Sequence, residues 1–433
     1  VATIDHILPA TPAPAASGPP STRRGELQGP SDRITRIDLQ TREPDQTVPE
    51  LIEYAAKLHV SDVFLYTNED HVEVAVRHLG ILRSIGRLPL EFGRRCISYV
   101  KTAGDMNFSE RRRPMDGRWL YTRKAGPSLD LRINTMPTLH GEDCTIRILD
   151  QEYRLLGLDQ LGLDGHNYAR LTQSLTNPSG LILVTGPTES GKSTTLYGCL
   201  NQLNTGERKI STIEDPIEYS LMGIRQSQVN AGLELTFDTM LRHVLRQAPD
   251  VIMIGEIRDA ETALTAVRAA GSGHLVLSTL HAPVASAAVH SLLRLGVHPY
   301  LLSNSLIGVV AQRLIRTLCP ACKETYEVPA PRLFEGVRQW LQPGQGEVLC
   351  GANGCPACFG TGYAGRTGVF EMLSVTAAVR ELIDESASVA AIRKKAVEEG
   401  MIEFRHAAVL KVAQGQTTIE EVVRVLPSEY LVP

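Results

Sequence analysis

The stretch Leu181-Ile182-Leu183-Val184-Thr185-Gly186-Pro187-Thr188-Glu189-Ser190-Gly191-Lys192-Ser193-Thr194 decides the fold. Its first four residues are a short, continuous apolar run, as expected for a strand buried on both faces of a largely parallel sheet. Gly186 to Thr194 then match G-x-x-x-x-G-K-[ST] and open a helical segment over Thr194–Leu203. Strand, loop and helix N-terminus in that order make a phosphate cradle. The loop amides wrap a β-phosphate, Lys192 reaches the β and γ oxygens, and the Ser193 hydroxyl is placed for Mg²⁺. The implied ligand is ATP or GTP.

Outward from this loop the same texture continues. Val251–Ile254 and His274–Leu280 read as further buried strands, with helices over Phe237–Gln247 and Ala260–Ala270 between them. This is α/β architecture with crossover helices. Glu214 and Glu256 each follow an apolar run, and in such sheets the carboxyl ends of the strands face the ligand crevice. Either carboxylate suits polarising an attacking water or holding the Mg²⁺ shell; capping a helix or pairing with Arg258 is the plainer role for each. His274 and His281 flank the third strand, where a satisfied structural histidine competes with a catalytic one.

The 433 residues exceed one core, which rarely grows past about 250 residues. Residues 1–45, with six prolines in the first thirty, read as a disordered tail or linker. Residues 46–155 read as a small α/β domain. It opens with a helix from Val48, followed by a hairpin turning at His78-Leu79-Gly80. Strands at Trp119–Thr122, Leu129–Thr135 and Cys144–Leu149 complete it, with Met115-Asp116-Gly117 as a turn. The core spans 156–317, a cysteine-bearing module 318–372, and a helical part 373–433 with stops at Gly400 and Gly415.

Cys319, Cys322, Cys355 and Cys358 form two C-x-x-C pairs, a spacing that supplies four thiolates to structural zinc. Cys350 is a competing fifth sulfur. The 44 basic and 48 acidic residues leave a charge of −4, and 5% aromatic content offers no stacking platform, so no nucleic-acid partner is expected. No run reaches the roughly 18 apolar residues of a membrane span.

The ordered motifs resemble the secretion ATPase superfamily, and within it the type II secretion and type IV pilus assembly ATPases. The resemblance is carried by the phosphate loop, Thr212-Ile213-Glu214-Asp215-Pro216-Ile217-Glu218, Gly255-Glu256-Ile257-Arg258-Asp259 and Gly273-His274-Leu275-Val276-Leu277-Ser278-Thr279-Leu280-His281. Gln226-Ser227-Gln228-Val229-Asn230, Gly362-Tyr363-Ala364-Gly365-Arg366 and Gly415-Gln416-Thr417-Thr418 extend it. It implies a RecA-like core behind a PAS-like α/β domain, working as a cytoplasmic hexamer peripheral to the inner membrane. The partners it implies are a membrane platform protein and cytoplasmic recruiting proteins. It makes Glu256 the general base, with Glu214, His274 and His281 supporting the γ-phosphate and domain closure. Asp116-Gly117-Arg118 and Leu129-Asp130-Leu131-Arg132 match segments that bring arginines to the nucleotide, so Arg118 and Arg132 are arginine-finger candidates. Zinc on the four cysteines favours assembly members over retraction motors.

The sequence departs from the family pattern at several points. Glu189 stands where the family has glycine, so weakened ATP affinity is expected if that position needs positive φ. Ala248 replaces an aspartate, Ala282-Pro283 follows His281 in place of Thr-Asn, and no separate folded domain is expected ahead of residue 46. Glu189 also motivates a rival reading, a nucleotide-binding structural subunit with little turnover.

Overall fold

The computed structural model describes residues 43–149, 156–327 and 331–430. The expected tail lies outside them except for its last three residues, where helix α1 (Pro44–Lys57) has already begun. Proline suits a first helical turn because the amide it lacks has no intrahelical acceptor there.

Contacts divide the described chain into two compact units. One holds residues up to 149 together with 354–362, the other the residues from 156 onward apart from that segment. In the first, β1 (Asp62–Thr67), β2 (His71–His78), β3 (Ile81–Pro89), β4 (Met115–Tyr121), β5 (Leu129–Thr138) and β6 (Gly141–Leu149) form an antiparallel sheet ordered β3-β2-β1-β6-β5-β4. Helices α1 and α2 (Leu90–Ala103) share its core, where Leu51, Ile52, Val74, Ile97, Val100 and Ile146 meet. Gly93 permits the close approach of α2, since an added Cβ would sit 2.4 Å from the Val72 Cβ. The hairpin after His78 is a two-residue turn with Leu79 and Gly80 at φ 49° and 80°, the type I′ pattern that matches strand twist. Met115-Asp116-Gly117 is not a turn but the start of β4. Its glycine serves a tight contact instead: a Cβ there would meet the Gly104 carbonyl at 2.5 Å.

The second unit carries a seven-stranded sheet ordered β15-β12-β7-β11-β10-β8-β9. Its strands are β7 (Gly180–Thr185), β8 (Ile210–Glu214), β9 (Arg225–Gln228), β10 (Val251–Ile254), β11 (Leu275–Leu280), β12 (Leu306–Leu318) and β15 (Tyr363–Ser374). All pair in parallel except β15, which runs antiparallel to β12. The helices are α3 (Gly165–Leu175), α4 (Lys192–Leu203), α5 (Phe237–Leu245), α6 (Ala260–Gly271), α7 (Ala285–Arg294) and α8 (Pro299–Ser305). Then follow α9 (Ala377–Asp384), α10 (Val389–Glu398), α11 (Phe404–Ala413) and α12 (Ile419–Val425).

Alternation along the strands splits the apolar residues between two layers. Leu181, Leu183, Ile252, Ile254 and Val276 pack with Leu241, Ala266, Val289 and Leu302 of α5 to α8. Ile182, Val184, Met253 and Leu277 pack with Leu171 and Leu200 of α3 and α4. Each buried Leu, Ile, Val or Met side chain among them contributes about 1.5–3 kcal/mol, and burial on both faces is why the runs read as unbroken apolar stretches. Helices α9 to α12 join the first layer through Val379, Ile392, Phe404 and Val422. Gly400 and Gly415, with φ 89° and 64°, follow α10 and α11 as expected.

The segment 318–372 divides in the fold. Strands β13 (Lys323–Glu327) and β14 (Val348–Ala352) make a separate hairpin. From Tyr363 the chain rejoins the core sheet, because β15 satisfies the edge of β12. Among the described residues no helix is long and apolar enough to cross a membrane.

Candidate active site

Strand β7 delivers the phosphate loop at its carboxyl end, and α4 leaves from the other side of it. Gly186 and Gly191 hold φ of 153° and 87°. A Cβ on Gly186 would meet the Gln312 carbonyl at 2.5 Å, so the loop has no room for a larger residue there. The Lys192 ammonium folds across the loop, donating to the carbonyls of Gly186 and Pro187 at 3.1 and 3.0 Å. Burial holds its pKa below the usual lysine range while Glu256 opposes that shift. Ser193 is exposed, and Thr194 is half-buried. Pro187, Thr188 and Glu189 face solvent, whereas Ser190 is buried. Glu189 adopts φ 62°, so the expected left-handed conformation is present, at a cost of about 1–2 kcal/mol for a non-glycine residue.

The strand order β7-β11-β10-β8 places the residues that end these strands side by side: phosphate loop, His281, Glu256, Glu214. The two carboxylates differ sharply. Glu214 is 3% exposed and accepts from Thr212 Oγ1 at 2.5 Å, from Gln226 Nε2 at 3.1 Å, and from the Tyr197 hydroxyl. Burial first, then this carboxylate, raises the Tyr197 pKa. Glu256 is more open: Oε1 lies 2.9 Å from His281 Nε2 and Oε2 accepts from Arg258 Nε at 2.7 Å. Arg258 in turn lies 3.5 Å from Asp215.

His274 is not brought to this edge. It precedes β11, with Nδ1 3.1 Å from the Ala269 carbonyl, and six residues of strand put it roughly 20 Å from His281. In the first unit Arg118 and Arg132 stand opposite one another on β4 and β5. Arg118 grips Asp130 with two bonds of 2.8 and 2.9 Å and is 65% exposed at its side chain.

The four sulfurs of Cys319, Cys322, Cys355 and Cys358 lie within 4.8 Å of one another. Cys355 and Cys358 are 3.8 Å apart, the edge of a tetrahedron with metal–sulfur bonds of about 2.3 Å. The amides of Cys355 and Gly362 donate to Cys358 Sγ at 3.1 and 3.2 Å, as suits a thiolate. The donor set fits zinc, and Cys350 is not among the four.

Residues 42–424 match the model of the type II/IV secretion system protein family. The chain belongs to this family. The type II secretion system ATPase E of Vibrio cholerae is 43% identical over 394 residues, spanning 90% of this chain and 77% of its own. The type II secretion system protein E of Pseudomonas aeruginosa is 41% identical, over 93% of this chain and 80% of its own. The type IV pilus assembly ATPase TfpB of Acinetobacter baylyi is 38% identical, over 87% and 64%. Among solved structures, the pilus retraction motor PilT with bound ADP aligns at TM-score 0.58 and 26% identity, over 88% of this chain and 96% of its own. The Legionella pneumophila ATPase DotB aligns at 0.66 and 22%, over 90% and 97%, a likeness of fold.

In this secretion-family member several supporting residues carry no motif of their own. Gln312, 1% exposed, donates to the Ser190 carbonyl at 2.6 Å and accepts from Thr195 Oγ1 at 2.7 Å, bracing the phosphate loop from β12. Thr185 Oγ1 donates toward the carbonyls of Leu280 and Ala282 and accepts the Ala282 amide at 2.7 Å. One signal was available for Gln312: a Gln-Arg pair interrupting the apolar run of Leu306 to Leu314.

Proposed function

We propose that this chain is the ATP-hydrolysing motor of a type II secretion or type IV pilus assembly machine. It works as a hexameric ring at the cytoplasmic side of the inner membrane, against a platform protein and with cytoplasmic recruiting proteins. The contrast between the two carboxylates carries the reading. Glu214 spends its oxygens on Thr212, Gln226 and Tyr197, whereas Glu256 sits beside His281 and acts electrostatically on Lys192.

Lys192 binds the β and γ oxygens once ATP displaces its carbonyl partners. Glu256 orients the attacking water and receives its proton, and His281 and Arg258 hold that carboxylate in place. Arg118 and Arg132 offer permanently charged guanidinium groups for the developing γ-phosphate charge. Glu214 positions β9 and α4 rather than meeting the water, and His274 stays outside the chemistry. Mg²⁺, when bound, neutralises phosphate charge, with Ser193 as its side-chain ligand. Zinc on the four cysteines is structural, since a tetrahedron of thiolates leaves no open position.

Single-turnover hydrolysis with Mg²⁺ tests this. Phosphate release by the wild type that disappears in Lys192→Ala supports the motor. Absence of release with nucleotide still bound supports the second reading, a structural nucleotide-binding subunit, which the strained Glu189 motivates.

A further inference from the structure

The loop that carries His281 is held by two buried ionisable side chains, Arg313 of β12 and Glu371 of β15. They are 7% and 2% exposed. Arg313 Nη2 donates to the Pro283 carbonyl at 2.9 Å. Glu371 Oε1 accepts the amide of Ala285, the first residue of α7, at 2.9 Å. With Thr185 on Ala282, this pins the chain at Ala282, Pro283 and Ala285, from just after His281 to the start of α7.

The same pair also holds α11. Glu371 Oε2 accepts the amide of Phe404, the first residue of that helix, at 3.4 Å, and the Arg313 guanidinium lies over the Phe404 ring, 5.3 Å from its centre. One carboxyl group thus joins the N-termini of two helices, each presenting unsatisfied amides and the positive end of its dipole. Two ionisable groups buried in a mostly apolar layer are an expensive way to fill space, because leucine or methionine would pack there without desolvation cost. What they add over apolar residues is directional attachment. Strand pairing fixes their frame, with Glu371 opposite Ala311 and Arg313 opposite Val369. Gln312, between Ala311 and Arg313, points the other way and braces the phosphate loop.

We propose that Glu371 and Arg313 are positioning residues that tie the seating of helix α11 to the His281 loop, and so set the His281–Glu256 contact used in hydrolysis. The inference rests on the reading of Glu256 and His281 as parts of the hydrolytic site. Movement of the C-terminal helices would then reach the nucleotide through one side chain and one short loop, rather than through the sheet.

A double-mutant cycle on the full-length oligomer tests it, with steady-state Mg-ATP turnover and ADP affinity as readouts. Glu371→Gln should lower kcat about tenfold while KM for ATP and ADP affinity stay within about twofold. In a His281→Ala background the same substitution should lower kcat by less than about twofold, because the contact it sets is already gone. Full multiplicative loss in the double variant overturns the coupling while leaving His281 in the site. A His281→Ala variant with wild-type turnover overturns both. If Glu371→Gln does not fold, Arg313→Lys, which keeps the charge but loses the planar fork, runs the same cycle and must show the same non-additivity.

Discussion

His281 Nε2 lies 2.9 Å from Glu256 Oε1, across the carboxyl ends of two adjacent parallel strands, β11 and β10. The contact leaves the carboxylate oriented by two cations, His281 when protonated and Arg258, with Lys192 on the neighbouring loop.

Glu256→Gln keeps shape and hydrogen bonding but removes the base. Turnover should fall by about 10²–10⁴ with nucleotide affinity nearly unchanged. Rapid-quench hydrolysis alongside equilibrium ADP binding checks this, and near-normal phosphate release would remove Glu256 from the role.

Glu189→Gly should relieve the left-handed strain at φ 62°, raising stability by up to about 1 kcal/mol after the entropy glycine adds to the unfolded chain. Because the side chain is exposed, its repulsion of phosphate is largely screened. ATP affinity should therefore improve only about two- to tenfold at low salt, and the gain should shrink as salt is added. Calorimetric titrations at two ionic strengths read it; equal affinities of the two forms at low salt would show the substitution to be harmless.

Purified protein should contain one zinc per chain, and Cys355→Ser with Cys358→Ser should lose it. A chelator should lower the melting temperature by several degrees while ADP binding to the phosphate loop survives in the folded protein. Metal analysis that finds no zinc at all in protein prepared without chelators would sink the assignment.

Glu371 gives a pH signature of its own. Burial pushes its carboxyl up to about 7 from 4.5, against the Ala285 and Phe404 amides and Arg393, with Glu403 reinforcing the rise. Arg313 and Tyr430 also border this group. Between those values the folded chain holds a proton that the unfolded chain releases. This contribution to stability is therefore complete below pH 4.5 and is lost as pH rises through 7, by roughly 3 kcal/mol at most. Melting curves from pH 5 to 8 should show the wild type losing ground to Glu371→Gln as pH increases. A gap independent of pH would contradict this.

The core was legible where burial on both faces forced unbroken apolar runs, as at Leu181–Val184 and Val251–Ile254, and where a loop of fixed spacing followed one of them. The strand β1 was not. Its Asp62-Val63-Phe64-Leu65 pattern is buried on both faces without the flanking motif that marked the others. Met115-Asp116-Gly117 misled because glycine and aspartate signal turns, whereas here the glycine answers a close backbone contact that only the folded chain reveals. The site was legible as a set of residue types, but their division of labour was not. Nothing in the order of residues says that Tyr197 and Gln226 would occupy Glu214, or that His274 would lie a strand's length from His281.

Strands β12 and β15 are antiparallel neighbours in the core sheet. Leu318 and Tyr363 are partners across that pair, so the chain leaves the core sheet and re-enters it at facing positions. In topological terms the whole cysteine-bearing excursion is the loop of an oversized hairpin. Its strands pair only with each other, so a short turn joining Leu318 to Tyr363 would preserve every strand pairing of the nucleotide-binding sheet while stripping Phe334, Val337 and Leu349 from the apolar layer they share with α11. Within the core sheet, the register of β12 and β15 is set by their own pairing and not by the length of chain between Leu318 and Tyr363.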